Sequence, residues 1–90
     1  MISEGLQNMH NKLVIRLKHT IASEQKHPNY EFISGLLDNL YIEIQKMPVN
    51  DVAIRNIMEE LTVFNVFKNT VHSLELKSLI FDINFWLDII

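Results

Sequence analysis

The only two prolines in the chain, Pro28 and Pro48, bracket a segment in which Ile33, Leu36, Leu37, Leu40, Ile44 and Met47 fall at offsets 0, 3, 4, 7, 11 and 14. That spacing lines all six along one stripe of a 3.6-residue period. Proline cannot donate inside a helix and restricts the residue before it, so the two prolines mark the ends. The pattern predicts a helix over about residues 29–47, with Asn29 as its N-cap. Gly35 inside it costs about 1 kcal/mol relative to alanine, which suggests a close approach of two backbones there.

Three further stripes follow the same rule. Leu6, Met9, Leu13, Leu17 and Ile21 predict a first helix over about residues 3–24, ended by the break Gln25-Lys26-His27-Pro28. Asn50 is placed to cap a third helix, and Asp51 suits the positive end of its dipole. The third stripe is Ile54, Ile57, Met58, Leu61 and Phe64, and it carries the helix into 61–67, although those residues are rich in β-formers. Ser73 would cap a fourth helix, whose stripe is Leu76, Leu79, Ile80, Ile83, Trp86, Leu87 and Ile90. Four amphipathic helices with short connections give an all-α fold class, an antiparallel up-down-up-down four-helix bundle in a single domain over residues 1–90.

Ninety residues allow one modest core, and the 48% apolar content is that of a globular chain. No cysteine is present, so neither a disulfide nor a thiolate ligand is available. The first residues include Glu4 and lack the basic and apolar regions of a signal peptide, and no apolar run approaches the ~20 residues of a membrane span. A cytoplasmic protein is expected. The net charge is −3, with residues 1–30 at +2 and residues 31–90 at −5. An acidic total argues against nucleic acid as a partner, because such affinity comes mainly from neutralising phosphates.

An enzyme is not expected. The four histidines, His10, His19, His27 and His72, form no metal-binding spacing, and the chain has neither a glycine-rich phosphate loop nor a nucleophile elbow. His10 and His19 read as solvated or half-buried helix residues, and His27 and His72 as capping or loop residues at helix breaks. Glu59 and Glu60 are adjacent, hence about 100° apart on a helix, and read as a solvated face. No catalytic residue, metal or cofactor is expected.

Two surface features stand out instead. Lys12, Arg16 and His19 share one side of the first helix and could meet anionic headgroups or an acidic partner, although an ordinary solvated face explains them too. The fourth helix carries a second apolar stripe opposite its core stripe, made of Leu74, Phe81, Phe85 and Ile89. A bundle helix needs one apolar face. A second implies deep burial, a homodimer seam or a recognition surface, and Val63, Val66 and Phe67 could extend it.

The run Asn11-Lys12-Leu13, Leu17, Ile21, His27-Pro28-Asn29-Tyr30, Leu36-Leu37 and Leu40-Tyr41-Ile42-Glu43-Ile44-Gln45-Lys46 resembles the immunity proteins of class IIa (pediocin-like) bacteriocins, in particular the enterocin A immunity family. Ile54, Ile57, Leu61 and Phe64 look like that family's third helix, and Ser73-Leu74-Glu75 with Leu79-Ile80 looks like its capped fourth. The likeness covers roughly residues 10–88. It implies an antiparallel four-helix bundle in the cytosol of a Gram-positive bacterium. The bundle would protect the producing cell from its own pore-forming peptide by recognising the membrane mannose phosphotransferase permease with bacteriocin bound, with peripheral membrane contact at the inner face. The family's specificity is attributed mostly to the C-terminal half, where the two-faced helix lies here. The chain departs from the pattern in being acidic where many relatives are basic, and in stopping at Ile90 where many continue. Recognition is then expected to rest on the helix face alone, or to have another target, and the alternative is a small helical protein-binding regulator such as an antitoxin or phage-type inhibitor. Candidate partner-binding residues are Leu74, Phe81, Phe85 and Ile89, with Lys12 and Arg16 as membrane-side contacts.

Overall fold

The computed structural model describes residues 4–26, 30–67 and 74–90, and for 64–67 the backbone alone. It is all-helical among the described residues. Helix α1 spans Glu4–Glu24, a 3₁₀ turn spans Tyr30–Phe32, and α2, α3 and α4 span Ser34–Ile44, Asp51–Phe67 and Leu74–Ile89. Each helix packs against its neighbours in the order α1–α2–α3–α4, and α4 closes the ring against α1. This is the antiparallel four-helix bundle the stripes predict, with a long axis of 41 Å against 22 and 19 Å across.

The core runs down the middle. Ile33, Leu37, Leu40 and Ile44 enter it from the α2 side, Ile54, Met58 and Leu61 from α3, and Leu76, Leu79, Ile83, Trp86 and Leu87 from α4. Their alternating spacing of three and four residues is the seam of helices packed nearly in line. In α1 the seam is rotated from the apolar stripe. Leu13 and Leu17 are buried as expected, but the line continues through His10, Thr20 and Glu24, while Leu6, Met9 and Ile21 are only half-buried.

Asn50 caps α3 as expected: its Oδ1 accepts a 3.2 Å hydrogen bond from the Ala53 amide. Helix α3 also continues to Phe67, so the apolar period outweighs the β-forming residues. The cap positions Asn29 and Ser73, and the breaks with His27, Pro28 and His72, lie outside the described residues.

Three expectations are corrected. Helix α2 begins only after the 3₁₀ turn and stops at Ile44, so Met47 lies in the following loop and is 55% exposed. The reason is chemical. A further helical turn would need the amide of residue 48 to bond the Ile44 carbonyl, and Pro48 has no N–H. Gly35 sits on the surface with open space where a Cβ would be, so it marks no close approach. Ile90 lies just beyond α4 and is exposed, so it does not extend the core stripe.

Candidate recognition face

The fourth helix has two apolar faces because two sets of residues interleave on it. Leu76, Leu79, Ile80, Ile83, Trp86 and Leu87 point inward and are buried. Leu74, Phe81, Phe85 and Ile89 lie about half a turn away and are 82%, 71%, 55% and 43% exposed. Central burial is therefore excluded as the account of the second stripe. Val63, on α3, is half exposed, and the side chains of Val66 and Phe67 lie outside the described residues.

Ion pairs hold α4 on either side of this stripe. On the α1 side, Arg16 Nη1 donates to Asp82 Oδ2 at 2.5 Å, and Nη2 lies 3.5 Å from Ser78 Oγ. On the α3 side, Arg55 Nη2 donates to Asp88 Oδ1 at 3.1 Å, and Arg55 Nε lies 4.0 Å from Asp51. These groups are part-exposed, and such pairs contribute about 0–1 kcal/mol each. They tie α4 to α1 and to α3 at the borders of the outward stripe.

Arg16 is thus not the free cation that sequence alone suggests. It is tied across the α1–α4 seam, whereas Lys12 is exposed beside it. Lys12, Met9 and Arg16 from α1 and Asp82 and Phe85 from α4 line a groove of about 460 Å³. A second recess continues along the same seam, where Arg16 and His19 face Leu74 and Ser78. The structure therefore brings Lys12, Arg16, His19, Leu74 and Phe85 together along one seam, with Phe81 and Ile89 on the outer surface of α4.

His10 is the residue whose role the sequence reading missed. It is 7% exposed, its Nε2 lies 2.6 Å from the Ile44 carbonyl, and its ring centroid lies 5.2 Å from that of Trp86. A carbonyl only accepts, so Nε2 carries the proton. His10 thus supplies, from another helix, the donor that Pro48 cannot. Its Nδ1 is buried with no hydrogen-bond partner among the described residues.

Among the described residues no cluster of His, Asp or Glu could hold a metal ion, and no helix is long and apolar enough to cross a membrane. No family model matches this chain, and no curated protein or solved structure matches it either.

Proposed function

We propose that the chain is a non-enzymatic immunity protein of the class IIa bacteriocin type. It acts in the cytoplasm of the producing cell and recognises the mannose phosphotransferase permease with bacteriocin bound, through the outer face of α4. The carrying observation is that Leu74, Phe81, Phe85 and Ile89 are solvent-facing on a helix whose opposite face already fills the core. Singly exposed apolar residues are ordinary, but a row of them along one helix, two of them aromatic, is the composition of an interface centre. The sequence resemblance supplies the target. Phe81 and Phe85 act as anchors, Leu74 and Ile89 extend the contact, and Lys12, lining the groove beside Phe85, adds charge at its rim.

The test is to express the protein in a sensitive strain and challenge it with a panel of class IIa peptides. The expected result is protection against at least one of them, reduced at least about tenfold in the Phe81→Asp, Phe85→Asp double variant, as for removal of an interface hot spot. Absence of protection against every peptide overturns the immunity reading. The same face would then be assigned to a regulator that captures a soluble protein.

A further inference from the structure

A second feature lies at the opposite side of the molecule's chemistry, at the end of the bundle where α2 stops short. The first turns of α1, the loop after α2 and the end of α4 meet there. A recess of about 190 Å³ remains there. His10 and Trp86, both buried, form its floor, with their rings tilted by 32°. Leu6 and Val49, half-buried, form its walls, and the exposed Met47, Pro48 and Ile90 surround its mouth.

The geometry points to a binding site for a small, uncharged, single-ring aromatic molecule. Three observations carry this. Its volume is on the scale of the roughly 150 Å³ that accommodates one benzene ring. Its floor is a pair of flat rings, against which a third ring can stack or meet edge-on. Finally, among the described residues no Asp, Glu, Lys or Arg side chain lines it, so a charged ligand would lose its hydration without gaining a countercharge. Met47 at the mouth is unbranched and adaptable, which suits a wall that closes over a bound ring. This site is separate from the face on α4 that meets a protein partner, and neither reading depends on the other.

Trp86 is the only tryptophan in the chain and lies in the floor, so its fluorescence reports occupancy directly. Toluene titrated into the intact protein is expected to shift Trp86 emission saturably, with half-saturation at roughly 0.1–1 mM for so few ligand atoms in a part-open site. Benzoate, the same ring with a charge, is expected to bind at least about tenfold more weakly. Val49→Phe places a ring in the recess and is expected to abolish the toluene response while circular dichroism remains helical. Leu6→Phe serves the same purpose from α1 should Val49→Phe fail to fold. No saturable shift with toluene, equal binding of benzoate, or an unchanged toluene response in a folded filled variant would each overturn the assignment.

Discussion

The inner and outer faces of α4 are built from nearly the same residues and do opposite things. Leucine, isoleucine and an aromatic ring fill the inner face, where Leu76, Leu79, Ile83 and Trp86 are at most 2% exposed. Leucine, isoleucine and two aromatic rings make the outer face, where Phe81 and Phe85 are more than half exposed. What separates them is angle on the helix: α1 and α3 pack against the inner side, and the Arg16–Asp82 and Arg55–Asp88 pairs lie at its borders. Apolarity shows that a face seeks to leave water. Only the arrangement of neighbouring helices shows whether the fold itself provides the cover.

If the faces differ as described, truncation of the inner one should cost most. Trp86→Ala removes the largest fully buried side chain and is expected to destabilise by about 3–5 kcal/mol, from lost transfer energy and the cavity left behind. In a chain of this size that is a large share of total stability. Thermal unfolding followed by circular dichroism should show Tm falling by more than about 10 °C, or no cooperative transition at all. A loss no larger than that of an outer-face truncation would break the comparison.

The next effect is expected at His10, off α4 altogether but in contact with its inner face. His10→Ala takes away the ring against Trp86 and the side-chain donor to the Ile44 carbonyl. A buried carbonyl left unpaired costs about 1–3 kcal/mol. The expected loss is about 2–3 kcal/mol, together with faster amide exchange in the last turn of α2. Unchanged exchange there would show that the end of α2 is held by the neighbouring bonds alone, Gln45 Nε2 to Tyr41 O and the Lys46 amide to Glu43 O.

These residues mark how far the sequence could be read. Four helices, their order and most of the core were legible because each apolar stripe repeats near 3.6 residues, and Ile33, Leu37, Leu40 and Ile44 are buried just where the bracketed stripe places them. The seam of α1 was not, because His10, Thr20 and Glu24 are polar and a reading by apolarity passes over them. The early stop of α2 is partly legible: Pro48 marks a boundary, but the boundary falls where its absent N–H would be needed, four residues earlier. The outer stripe of α4 was visible as a pattern. Its exposure was not, since a buried central helix and a surface-presenting one share the same composition.

A smaller effect separates position from energy at Arg16. Arg16→Met keeps the stem that packs along the α1–α4 seam and removes the bonds to Asp82 and Ser78. Because both charges are part-exposed, the stability change should stay within about 0–1 kcal/mol and shrink further in high salt. If these bonds set the register of the recognition face, protection should fall more than this small change accounts for. Equal losses in both would reduce the pair to an ordinary surface ion pair.

The smallest change in stability is expected at the residue with the largest proposed role. Phe81 is 71% exposed, so little apolar contact is lost when it is replaced. Phe81→Asp stands mid-helix on an exposed face, where it lowers helix propensity by only a few tenths of a kcal/mol. Tm should therefore move by no more than about 4 °C, the shift of roughly 0.5 kcal/mol. Protection, in contrast, should be largely lost, because a carboxylate at the centre of an apolar contact must be desolvated when the partner docks. A melting curve that stays in place while protection collapses is the result only a recognition face gives. A variant that unfolds would show that Phe81 supports the bundle after all, and a stable variant that still protects would move the contact elsewhere on the molecule.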